Sequence, residues 1–208
     1  VAIRAGVVSN LGNYIPGKIF IVLFRAKFVE GEGIPGVLVA SSVVLETLLR
    51  NMVAAILAAV GLWHMGVGRS YIGGLALLLI VSVVVVHPAI FNRLTDFALR
   101  KLNRPPLPCR LRMRSLLALL FGYALYWGLY AIAFFLLTRG TLGAELLDLP
   151  ALATALFISL IASMLAVFAP VGLGVADATL AGVLAITGAA SGAGVIAVIF
   201  RVWRTLTE

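Results

Sequence analysis

Charge is scarce in this sequence. Lysine, arginine, aspartate and glutamate make up 12% of 208 residues, where a soluble domain carries about 25%. With 62% hydrophobic residues there is not enough polar surface to cover a water-soluble globule. That excludes an ordinary cytosolic enzyme and a disordered segment. Cysteine is nearly absent too: Cys109 stands alone, so no internal disulfide forms and a secreted disulfide scaffold is excluded. The two histidines, His64 and His87, fall at opposite ends of one predicted hairpin and cannot share a metal. No P-loop, dinucleotide fingerprint, HExxH or GxSxG motif is present, so no catalytic residue, cofactor or metal is expected. No strand-like alternation is present that would close a barrel.

What is there is apolar helix. At about 20 residues per crossing, the length predicts an all-α, polytopic membrane protein with six or seven apolar helices in one transmembrane domain over residues 1–208. The chain opens at Val1 inside an apolar pattern, without Met or a signal-like charged start, which predicts that further N-terminal helices precede it. The stretch from Val1 to Val29 is interrupted by Asn10, Gly12, Asn13, Pro16, Gly17 and Lys18. Proline removes a donor and disfavours helix before it, so this reads as two short helices around a broken turn. A long helix follows from Gly36 to Trp63, then an apolar run from Tyr71 to His87 stopped by Pro88. Residues 89–104 alternate differently: Phe91, Leu94, Phe97 and Ala98 recur at helical spacing among Arg93, Asp96, Arg100 and Arg104, predicting an amphipathic helix at the interface. Ser115 to Thr138 is another span. Beyond Pro150 three helices are expected, about 151–168, 175–187 and 193–206, with a second break at Ala169–Gly174. Both broken hairpins either cross or turn back within the bilayer, where such breaks are tolerated only if protein or trapped water satisfies the backbone.

The net charge is +8. Within a membrane chain, that excess reports orientation and lipid contact before nucleic-acid binding, which is not expected here. Arg93, Arg100, Lys101, Arg104, Arg110, Arg112 and Arg114 against Asp96 place the 88–114 segment, the amphipathic helix and loop of 89–114, in the cytoplasm. Counting crossings puts the 30–35 connection and the C-terminus, with Arg201 and Arg204, on the same side.

Ionisable residues inside apolar helices carry the functional signal, because a charge at mid-depth costs about 2.5–3.5 kcal/mol on insertion scales. Glu46 and Arg50 sit four apart in the long helix, in the favourable acid-first order. They form either an internal ion pair that fixes packing or the lining of a cavity for a charged headgroup. Asp177, at the start of a helix after P-V-G-L-G-V-A, is either a cap or a site acid. Gly172 and Gly174 permit close approach of a ligand or another helix. Lys18 and Arg25, seven apart after the first break, meet a phosphate or snorkel to the interface. Interrupted segments in two halves, Asn13, Pro16 and Gly17 against Pro170, Gly172 and Gly174, are the pattern that points to a transporter's central site.

At these residues the chain resembles the lysylphosphatidylglycerol synthase transmembrane, or flippase-like, family. The resemblance rests on N-Y-I-P-G-K and F-R-A (Asn13–Lys18, Phe24–Ala26), V-V-L-E-T-L-L (Val43–Leu49), His87-Pro88 and P-V-G-L-G-V-A-D (Pro170–Asp177). Family members typically carry P-G-G-x-G-V-R-E at the last and an E-R pair at the second. Here Val171 replaces a glycine, Ala176 the arginine, Asp177 the glutamate, and Thr47 the second arginine. The resemblance implies a multi-pass protein of the prokaryotic plasma (inner) membrane that moves a phospholipid or lipid-linked headgroup between leaflets. Its expected headgroup site is Lys18, Arg25, Glu46, Arg50 and Asp177, lined by the two breaks. Two rival expectations are a membrane domain presenting lipid to a separate lipid-modifying transferase and a small-solute secondary transporter.

Overall fold

The computed structural model describes residues 19–29, 36–66, 69–101, 103, 106, 110–142, 148–166, 174–186 and 192–207, and every regular element among them is a helix. Eight helices follow in order: α1 (Ile19–Val29), α2 (Gly36–His64), α3 (Arg69–Val86), α4 (Pro88–Lys101), α5 (Met113–Leu142), α6 (Leu149–Leu165), α7 (Val175–Ile186) and α8 (Ala193–Thr207). Seven are apolar, and α4 is amphipathic as expected; α8, with Arg201 and Arg204 on one side, is amphipathic too.

Two helices, α2 with 29 residues and α5 with 30, are long and apolar enough to cross a bilayer. At 1.5 Å per residue both reach about 43–45 Å, beyond the roughly 30 Å hydrocarbon core. Neither contains proline. α2 closes where Gly66 adopts φ +65°, a left-handed conformation that suits glycine, and donates to the Trp63 carbonyl at 3.2 Å. Between α3 and α4 the chain bends by 70° at His87. Pro88 lacks the N–H that would continue the ladder and disfavours helix at His87, so α4 leaves the direction of α3. Phe91 and Leu99 of α4 are buried against the protein, while Leu94 and Phe97 on its other side are exposed among Arg93, Arg100 and Lys101. Asn92 ties α4 to the start of the next segment, donating to the Leu111 carbonyl at 3.1 Å and accepting from the Leu111 N–H at 3.0 Å.

α3 and α4, bent at His87, form a further candidate span as a pair, and the remaining helices are shorter. α6 spans 17 residues and α7 12, about 25 and 18 Å. α6 is the centre of the packing: Leu152, Ala155, Leu156, Phe157 and Ser159 are all buried, against α2 on one side and α7 on another. It runs antiparallel to α2. A Cβ at Gly61 would collide with the Thr154 hydroxyl, and eleven residues earlier Arg50 reaches Met164. α6 therefore covers only the C-terminal half of α2. α1 covers the other half, also antiparallel: Val29 packs with Val39 and Ala26, and further along Arg25 meets Glu46. At about 100° per residue, Val39, Glu46, Arg50 and Gly61 fall within about 60° of arc on α2. Two short helices thus lie end to end along one face of a membrane-length helix. Their junction falls at Glu46 and Arg50, and Arg50 is the central residue of α2.

α8 runs antiparallel to α5, with Phe134 against Phe200 and Tyr130 against Trp203 at ring separations of 5.5 and 6.0 Å. Tyr130 is close to the middle of α5, so the end of α8 lies near mid-length of the long helices. The end of α6 is likewise halfway along α2, where Arg50 reaches Met164.

Candidate functional site

Glu46 does not pair along its own helix with Arg50. Its Oε2 accepts from Nη1 of Arg25 on α1 at 2.6 Å, with the two side chains 37% and 18% exposed. Arg50 turns the other way, and its Nη2 donates to Sδ of Met164 at 3.4 Å, in the last turn of α6. A thioether is a weak acceptor. Among the described residues, no carboxylate lies within 4.0 Å of Arg50. The backbone at Arg50 is fixed from α5, where the Trp127 indole N–H donates to the Arg50 carbonyl at 3.2 Å. Trp127 is held in turn by an edge-on contact with Phe157 of α6 at 5.8 Å. One turn before it on α5, Tyr123 lies within electrostatic reach of Glu46, Arg50 and Arg25. Beside Met164, the hydroxyl of Ser163 accepts from Nη1 of Arg204 on α8 at 3.0 Å.

Five helices therefore bring polar groups to the junction: Arg25 from α1, Glu46 and Arg50 from α2, Tyr123 from α5, Ser163 and Met164 from α6, and Arg204 from α8. Helix-end electrostatics favour the arginines, because the C-terminal end of α6 carries partial negative charge. Asp177 belongs to a neighbouring pair. It caps α7, accepting from the Gly174 N–H at 3.4 Å, and its Oδ2 lies 3.9 Å from Nη1 of Arg201, one turn before Arg204. Gly174 has φ +81°, the left-handed value that its lack of a side chain permits. So the structure pairs Arg25 with Glu46, places Arg50 one turn further along α2, and gives Asp177 a separate partner in Arg201 of α8. Asn13, Pro16, Gly17, Lys18, Pro170 and Gly172 lie outside the described residues, as does Cys109. Among the described residues no group of three His, Cys, Asp or Glu side chains is placed to hold a metal ion.

A family sequence model described as the lysylphosphatidylglycerol synthase TM region matches residues 3–207, nearly the whole chain. The chain belongs to that family. It is an integral membrane protein of a class associated with lipid handling. No curated protein sequence and no solved structure matches it. Both acids that carry the resemblance, Glu46 and Asp177, have arginine partners. These come from α1 and α8. Tyr123, Trp127, Ser163, Met164 and Arg204 are the residues that sequence reasoning did not assign to the site. Arg201 and Arg204, three apart on an otherwise apolar helix, were the visible signal.

Proposed function

We propose that the chain acts as one transmembrane domain that moves a phospholipid or lipid-linked headgroup between leaflets, through the junction of α1 and α6. The observation that carries this reading is the meeting of short helices at the midpoint of α2, with Arg25, Glu46, Arg50 and Arg204 gathered there. Ionised groups at that depth are costly unless enclosed with partners, and in membrane proteins they mark substrate pathways. Lys18, Asp177 and the residues of the two sequence breaks (Asn13, Pro16 and Gly17; Pro170, Gly172 and Gly174) are the further lining this reading expects. The headgroup passes the arginines while its acyl chains stay in lipid along the exposed side of α5. The exposed basic residues Arg93, Arg100, Lys101, Arg110, Arg112 and Arg114 set α4 and the adjoining loop on the cytoplasmic face of a plasma membrane, and hold anionic lipid near the entrance.

Reconstitution into liposomes with fluorescent phospholipids, followed by reduction of the outer-leaflet dye, tests this. Loss of protein-dependent exchange in a combined Glu46→Ala, Arg50→Ala and Asp177→Ala variant that still reconstitutes supports the reading. Exchange equal to that of the unaltered protein removes the junction as the pathway.

A further inference from the structure

We propose that the elbow between α3 and α4, together with residues 110–114, is a second lipid site that seats an anionic phospholipid which stays in its own leaflet. Under the proposed pathway these basic residues set sidedness and supply the entrance. The elbow site is separate from the junction and stands whether or not the junction moves lipid.

The backbone lays α4 along the membrane surface. α3 reaches about 27 Å over its 18 residues while packing against α2, so it takes up most of the hydrocarbon thickness. The chain then bends by 70° at Pro88, which leaves α4 running nearly in the plane of the bilayer. Val86, at the elbow, packs in one cluster with Leu116 in the first turn of α5. Around α4, at about 100° per residue, the surroundings change in order. Phe91 and Leu99 face the protein and are buried. Arg93 and Arg100 share an exposed edge, and the exposed Leu94 and Phe97 follow about 80° further round. A basic edge beside an apolar edge on an in-plane helix sinks into the boundary between headgroups and acyl chains.

The connection to α5 doubles back and widens the basic edge. Asn92 holds both backbone groups of Leu111, and Asp96 meets Arg110 at 3.5 Å, so the exposed Arg112 and Arg114 follow directly from that clasp. Asp96 is the one acid in the sequence between Glu46 and Glu145. Even with Glu30 and Glu32, which precede α2, counted against them, the seven arginines and lysines between Pro88 and Ser115 outnumber the acids. Phosphate oxygens match the guanidinium fork, so the charge calls for an anionic headgroup. The apolar edge makes that headgroup a lipid's: α4 joins the exposed Val83 and Val84 of α3 to the exposed Met113 and Leu117 of α5, surfaces that meet acyl chains.

The test uses the whole protein. Native mass spectrometry in detergent compares phosphatidylglycerol with phosphatidylcholine on the unaltered protein, on Arg93→Gln with Arg100→Gln, and on the combined Glu46→Ala, Arg50→Ala and Asp177→Ala variant. One basic residue near an anionic surface is worth about fivefold in affinity. Phosphatidylglycerol is therefore expected to bind about tenfold better, and Arg93→Gln with Arg100→Gln to lower that preference at least fivefold. The junction variant retains it, as does Arg139→Gln at the opposite end of α5. Depth is read in liposomes from a fluorophore on Phe97→Cys in a Cys109→Ser protein, with the strongest quenching expected from lipid brominated near the headgroup end of its chains. A preference kept in full by Arg93→Gln with Arg100→Gln, or lost in the junction variant, overturns the site. So does a label at 97 quenched most by bromine near the chain ends, which makes α4 the second half of a span. A label that no brominated lipid quenches also overturns it, and gives the edge to a protein partner or a second copy. Failure of these tests beside intact lipid exchange leaves translocation standing; a preference with these properties beside absent exchange does the reverse.

Discussion

α5 and α6 are consecutive apolar helices with opposite surroundings. On α5, Leu117, Phe121, Leu125, Leu129 and Leu136 are each more than half exposed, and Phe121 reaches 73%. On α6, Leu152, Leu156 and Phe157 are at most 3% exposed. Hydropathy alone does not separate them. In a bilayer, apolar surface gains little by leaving lipid, so helices pack through close contact of small residues and through hydrogen bonds. α6 carries those marks: Ala155, Thr154, Ser159 and Ser163 are all buried, and its hydroxyls bond the Pro150 and Leu156 carbonyls or accept from Arg204. Shape and small polar groups decide which helix is inside. The inner helix is also the one that stops short and ends beside Arg50.

The comparison breaks most sharply at glycine. Gly61→Leu drives a branched side chain into Thr154 where α2 and α6 are closest. Overpacking of a well-filled core costs about 1–3 kcal/mol and sometimes more, and here both backbones are held in helices. The expected result is loss of a monodisperse, cooperatively melting protein in detergent, followed by tryptophan fluorescence. Gly128→Leu on α5 meets open space and gains up to about 1 kcal/mol of helix propensity, so it melts no lower than the unaltered protein. Equal behaviour of the two variants would remove the distinction between the helices.

Truncation gives a smaller and graded effect. Phe157→Ala empties a buried site that also steadies Trp127, and the cavity costs about 2–3 kcal/mol even without a transfer contribution from water. Phe121→Ala faces lipid and costs less than about 0.5 kcal/mol. Unfolding by denaturing detergent, with both variants in one titration series, measures the difference. A related readout uses single-tryptophan proteins. Tryptophan at 127, a position only 6% exposed, is expected to be quenched severalfold less by brominated lipid than tryptophan placed by Phe121→Trp. Similar quenching would mean that α5 presents both positions to lipid.

Much of the fold was legible from where the chain cannot continue a helix. The expected run from Gly36 to Trp63 is α2 to within one residue, and Pro88, which cannot donate, separates α3 from α4 where a stop was read. Helical spacing identified α4 because its charges made the periodicity visible. The site was legible only as a set of misplaced charges. Glu46, Arg50, Arg25 and Asp177 stood out because hydrocarbon penalises them, but a charge in a sequence does not name its partner. The i, i+4 rule pointed Glu46 to Arg50, and tertiary packing gave it Arg25 instead, since α1 lies over that half of α2. The place where α6 ends was hidden for a similar reason: hydropathy does not say that its last turn lies beside Arg50, at the midpoint of α2.

The smallest expected effect tests whether a hydroxyl itself distinguishes the inner helix. Thr154 is 1% exposed, and its Oγ1 donates to the Pro150 carbonyl at 2.6 Å. Thr154→Val keeps the shape and removes that bond, but the Pro150 carbonyl still accepts from the residue 154 N–H in the helix ladder. Nothing buried is orphaned, so the cost is near the 0.6 kcal/mol or so that hydrogen bonds average inside membrane proteins. On α5, the hydroxyl of Thr141 donates to the Leu137 carbonyl at 3.0 Å on an exposed face. Thr141→Val there is expected to be neutral. If the two substitutions shift the unfolding midpoint equally, the hydroxyls of α6 are incidental. The close approach at Gly61 would then be the only feature that sets the inner helix apart.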